Sequence, residues 1–101
     1  MRKESEMPIE TKIWDPVERL TSPEAELAYL EAAFEDGDPV LITAAIGDIA
    51  RARGMAKIAK SAGLSRETMY KAFRAEGNPT LETLADVTRA LGYRLAIAPL
   101  P

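Results

Sequence analysis

From residue 27 onward the chain repeats apolar positions at helical spacing, and turn and capping residues punctuate the runs. Leu27, Leu30 and Phe34 stand at i, i+3 and i+7, one apolar stripe of a helix. Ser22 before Pro23 predicts the start of that helix, because its side chain can accept an orphan amide and proline suits the first helical position. Glu24 and Glu26 favour the positive end of the helix dipole. Gly37 ends the stripe, and Asp38-Pro39 opens a second helix with the same cap chemistry. Ile42, Ala45, Ile46 and Ile49 form its apolar face, and Gly54 is placed to cap its end. A short helix from Met55 to Ser61, a turn at Ala62-Gly63-Leu64 and a helix opened by Ser65 follow. After the break Asn78-Pro79-Thr80, a last helix carries Leu81, Leu84, Thr88 and Leu91 and stops at Gly92. The expected class is all-α, a compact five-helix bundle.

The ends read differently. MRKESEMPIETK has no periodicity, which predicts a flexible tail over residues 1–12. IWDPVERL follows, with Ile13, Trp14, Val17 and Leu20; the single tryptophan is expected to pack this arm onto the domain. At the other end YRLAIAPLP alternates Tyr93, Leu95 and Ile97 on one face, which predicts a short β-strand over residues 93–98. A lone strand leaves backbone groups unpaired, and its simplest partner is a second copy across a two-fold axis. The expected organisation is therefore one domain over residues 13–101, with the C-terminal strand used in dimerisation.

Residues 54–74, GMAKIAKSAGLSRETMYKAFR, satisfy the steric demands of a helix-turn-helix. Close crossing of two helices requires a small residue in the first, which Ala59 supplies. The turn requires a residue that tolerates positive φ, which Gly63 supplies. Ile58, Leu64, Met69 and Ala72 stand where an apolar plug must fill the angle, and Ser65 is a preferred cap for the second helix. If Met69, Ala72 and Phe73 face inward, the opposite face presents Arg66, Glu67, Tyr70 and Lys71, with Ser65 and Thr68 near its start.

Charge sharpens this picture. The 101 residues sum to −3, but residues 1–50 carry four bases against twelve acids, a balance of −8. Residues 51–74 carry seven bases against the single acid Glu67, a balance of +6. A basic segment that coincides with the helix-turn-helix spacing predicts a nucleic-acid face. With no cysteine and no histidine, disulfides, thiolate metal sites and the commonest general base are excluded. No phosphate-binding loop or metal-spaced acid cluster occurs, so neither an enzyme nor a cofactor or metal is expected. Glu35, Asp36 and Asp38 lie together, but at a helix boundary where solvated acids and a cap account for them. No apolar run is long enough for a bilayer and the start lacks a signal peptide, so the expected location is the cytosol.

MAKIAKSAGLSRETMYKAFRAEGNPTLETLADVTRALG resembles the helix-turn-helix of phage-repressor (Cro-like, XRE) proteins. More narrowly, DPVLITAAIGDIARARGMAKIAKSAGLSRETMYKAFRAEGNPTLETL, with YLEAAFEDGDP and WDPVERL upstream, resembles the HigA-like probable addiction module antidote proteins. The resemblance spans residues 14–97. It implies a lambda-repressor-like domain of a prokaryote or phage, associated with the nucleoid, that dimerises and represses transcription from its own operator. It also implies neutralisation of a small basic toxin of the RelE/HigB kind encoded beside it. Carried over from the repressor family, Arg66, Glu67 and Lys71 match base-contacting positions, and Ser65 and Thr68 match positions that touch phosphate. Arg66 can pair with guanine and Glu67 can accept from cytosine N4. Lys57, Lys60, Ser61 and Arg74 would flank the groove as backbone contacts, and Tyr70 could reach sugar–phosphate or simply cover the surface. Arg51 and Arg53 could contact phosphate or serve the helix dipole, and Glu76 adds an acid near the expected DNA face. A phage-type Cro-like repressor without a toxin partner, and a protein-interaction module that no longer binds DNA, are the alternatives.

Overall fold

The structure, a computed structural model, describes residues 22–101 and contains five helices in that span. The expected tail over residues 1–12 and the arm with Trp14 lie outside the described residues. Helix α1 (Pro23–Asp36) starts where Ser22 Oγ accepts the Ala25 amide at 3.1 Å and ends at Gly37, whose amide returns to Ala33. Helix α2 (Pro39–Arg53) is capped by Asp38, whose Oδ1 accepts the Val40 amide at 2.9 Å. Helices α3 (Met55–Ala62) and α4 (Arg66–Phe73) follow with three residues between them. Thr80 caps α5 (Leu81–Ala90) through the Thr83 amide at 3.1 Å. The starts of α1, α2 and α4 coincide with the caps expected from the sequence, Ser22, Asp38 and Ser65, because caps satisfy orphan amides locally whatever the distant packing; α3 starts at Gly54 without a side-chain cap.

The core draws on all five helices. Ile46, Ile49, Met69 and Val87 are fully buried, and each contributes about 1.5–3 kcal/mol through the surface it removes from water. α2 lies centrally, packed against α1, α3, α4 and α5. Its buried Ala45, Ile46 and Ile49 are the face the periodicity predicts, with Ile42 partly buried beside them.

Two expectations fail. On α1 the buried line is Glu26, Leu30 and Ala33, while Leu27 and Phe34 stay half exposed. The inward face is rotated by about one residue from the apolar stripe, because Glu26 can be buried once its carboxylate is bonded. The C-terminal strand is the second. Residues 93–98 are irregular and no strand forms among the described residues. A strand needs a ladder partner; here the Tyr93 amide instead bonds the Thr88 carbonyl at 3.0 Å and its hydroxyl bonds Glu26 at 2.9 Å.

The link between α4 and α5 folds back tightly at Gly77. Its amide bonds the Arg74 carbonyl at 2.8 Å, and a Cβ at this position would stand 2.2 Å from the Ala72 carbonyl oxygen. That obstacle is backbone of α4 and cannot swing aside. Gly77→Ala is expected to destabilise the domain by about 1–3 kcal/mol, read as a lower urea midpoint with an unchanged m-value.

Candidate nucleic-acid interface

The α3–α4 pair is assembled by its turn. Gly63 adopts φ 76°, the left-handed conformation open to glycine. The Leu64 amide then returns to the Ala59 carbonyl at 2.9 Å, and the Leu64 side chain packs on the core. Ser65 caps α4 through the Thr68 amide at 3.0 Å. Below the turn Ile58, Ala59, Met69 and Ala72 are buried, so the positions read as the steric plug fill the angle between the helices.

This packing decides what α4 shows to solvent. With Met69, Ala72 and Phe73 inward, Arg66, Glu67, Tyr70 and Lys71 are exposed. Ser65 and Thr68 are exposed at the start of α4, Lys57, Lys60 and Ser61 on α3, and Arg74 just past α4. All ten candidate contact residues are thus at the surface of two adjacent helices. The Ser65 hydroxyl donates to Thr68 Oγ1 at 2.9 Å while accepting the Thr68 amide. Its own proton is therefore committed, and the Thr68 hydroxyl is the one left to donate outward. A shallow groove of about 350 Å³ between α4 and the start of α5 brings together Thr68, Lys71 and Arg74, with Glu76 on its edge. Thr80 and Thr83 line it too and were missed as candidates. Their Thr-x-x-Thr cap repeats the Ser65-x-x-Thr68 pattern, a signal that could have found them.

Arg51 and Arg53 have other work. Arg51 Nη2 donates to the Phe73 carbonyl at 2.7 Å, a carbonyl of the last turn of α4 where a cation is favoured by the helix dipole. Its Nη1 pairs with Asp48 at 3.2 Å, and Asp48 in turn accepts the Tyr29 hydroxyl at 2.6 Å. Arg53 Nε donates to Glu26 Oε2 at 2.8 Å and its Nη2 to Oε1, forming a two-pronged pair across α1 and α2. Both side chains hold the domain together and are not spare charges for phosphate.

The family described as "Probable addiction module antidote protein" matches residues 10–99. The chain belongs to this family. An uncharacterized protein of Haemophilus influenzae is 44% identical over 86 residues, which span 85% of this chain and 89% of that protein. No solved structure matches. Membership in the antidote family suggests an antitoxin role in an addiction module and implies a toxin partner. Among the described residues no helix is long and apolar enough to cross a membrane.

In this antidote-family chain the Glu26 cluster has a titration signature. The hydrogen bond from Arg53 holds the Glu26 carboxyl below its ordinary value of 4.5; burial opposes this, and the Tyr93 hydroxyl adds to the lowering. The group is depressed in the folded state, so its stabilisation is present above about pH 4.5 and is lost as pH falls through the lowered value. Burial and the Asp48 bond push Tyr29 up to about 12; its contribution is present below the ordinary phenol value and is lost as pH rises toward 12. Glu26→Gln is expected to cost about 2 kcal/mol at neutral pH, between the values for exposed and buried pairs. It should also flatten the acid limb of stability against pH, measured by urea unfolding from pH 3 to 7.

Proposed function

We propose that this protein is the DNA-binding antitoxin of a type II toxin–antitoxin module, of the HigA-like, XRE subtype. In this reading α3 and α4 are a helix-turn-helix within a single domain over residues 13–101. A dimer binds the module's own operator in the nucleoid of a prokaryotic or phage-infected cytoplasm, represses transcription, and neutralises a RelE/HigB-like toxin. The observation that carries the DNA-binding part is the exposed face of α4. Arg66 and Lys71 stand outward because Met69, Ala72 and Phe73 are buried on the other side.

A helix so presented enters the major groove with its N-terminal residues toward base edges. Arg66 pairs with guanine O6 and N7, Glu67 accepts from cytosine N4, and Lys71 reaches acceptors a turn further on. Lys57, Lys60, Ser61, Ser65, Thr68, Tyr70 and Arg74 contact the backbone and set register. In a two-fold dimer the two recognition helices meet half-sites one helical turn apart, about 34–36 Å. Antidote-family membership favours this reading over a repressor with no protein partner.

Arg66→Ala is expected to cost about 1–3 kcal/mol on the operator and to relax preference at one base pair. Lys60→Ala should weaken promoter and scrambled duplexes alike and reduce the salt slope by about one. Fluorescence anisotropy with both duplexes at several salt concentrations separates these effects. Equal, small losses from both substitutions would count against direct base readout.

A further inference from the structure

We infer that the groove between α1, the end of α5 and the C-terminal segment is the docking surface for the toxin, a basic protein presenting an apolar or aromatic anchor. This deepens the antitoxin reading and rests on it.

Two observations converge on the groove. Its volume is about 390 Å³, and Leu27, Phe34, Leu91 and Leu95 are among the apolar side chains that line it. Leu27 and Phe34 are 43% and 42% exposed. A single exposed leucine is ordinary, but two large apolar side chains along one groove form a patch of the kind that marks partner sites. Thr88 also lines the groove, but it is only 6% exposed and its Oγ1, without a hydrogen-bond partner among the described residues, is closed to solvent. What the groove offers a partner is therefore apolar side chain, which an anchor such as tyrosine or tryptophan fits.

Charge selects the occupant. α1 carries five acids and no base. Glu26 is consumed by Arg53 and Tyr93, while Glu24, Glu31, Glu35 and Asp36 are exposed. Glu31 stands on the groove itself, where Arg94 is the one base. Nucleic acid is repelled by such a face. A second copy in a two-fold contact would set the same acids against one another. A basic protein gains from the charge and covers the apolar floor. The two partners of an antitoxin are thereby sorted by charge, DNA to α4 and toxin to α1.

The test uses the full chain, the small protein encoded beside it, and a palindromic duplex from its own promoter. Phe34→Ser and Leu27→Ser, at half-exposed sites that the core does not need, should each weaken toxin binding about tenfold or more and leave duplex affinity and unfolding midpoint unchanged. Glu31→Lys should slow association and weaken its dependence on salt. Arg66→Ala should do the reverse, losing duplex and keeping toxin. Unchanged toxin binding in both serine variants overturns the surface assignment while the antitoxin reading stands. A neighbour that fails to bind the unaltered chain removes the antitoxin reading itself. Two results without toxin also overturn the proposal: a fall from dimer to monomer mass puts a second copy in the groove, and a red shift in emission of the single tryptophan, Trp14, puts the chain's own arm there.

Discussion

The packing of α4 across α3 is the constraint on which the rest of the molecule depends. Ala59 is nearly inaccessible and Met69 wholly so, and the helices that bury them can pack together because Gly63 turns the chain in the left-handed conformation between them. A larger residue at Ala59 would separate the helices; a side chain at Gly63 would strain the turn. With that contact made, the rotation of α4 about its own axis is no longer free. The residues that cannot face inward, Arg66, Glu67, Tyr70 and Lys71, are then presented together, in a geometry that a surface-charge count alone would not distinguish from a solvated helix.

Polar clamps hold this arrangement from behind. Arg51 reaches from α2 to the last turn of α4, and Arg53 closes on Glu26 of α1. Both arginines come from one end of α2, the helix that touches all four others. Their guanidinium groups suit the work, since each satisfies two acceptors in a fixed fork and stays charged at any physiological pH. The positive charge of residues 51–74 therefore divides between internal structure and an outward face, and the net +6 overstates what a polyanion would meet.

Membership in the antidote family implies a toxin partner for this small domain. The acidic α1 and the helix that presents Arg66 and Lys71 do not pack substantially on each other, so the acids of one and the bases of the other sit on separate surfaces.

How much of this was legible beforehand follows from the range of the interactions involved. Ser22, Asp38, Ser65 and Thr80 start helices because each satisfies amides within three residues of itself, and Gly63 and the Ile58–Met69 plug act within one turn and its flanks. Such short-range terms are written into adjacent residues, so the helices, the α3–α4 unit and the exposed candidates of α4 could be read directly. The inward rotation of α1, the engagement of Arg51 and Arg53, and the path of residues 93–98 could not. Glu26 is buried in place of Leu27 only because Arg53 and Tyr93, 27 and 67 residues away, arrive to bond it. The alternation of Tyr93, Leu95 and Ile97 is a genuine strand pattern, overruled because no ladder partner lies among the described residues and Tyr93 finds Glu26 instead. Where helices begin, where they turn and which face of α4 is charged depend on neighbours along the chain and are set there. Which charges are paired inside and which apolar side chains stay uncovered depend on distant partners, since a charge can be buried only against a group that folding brings within reach.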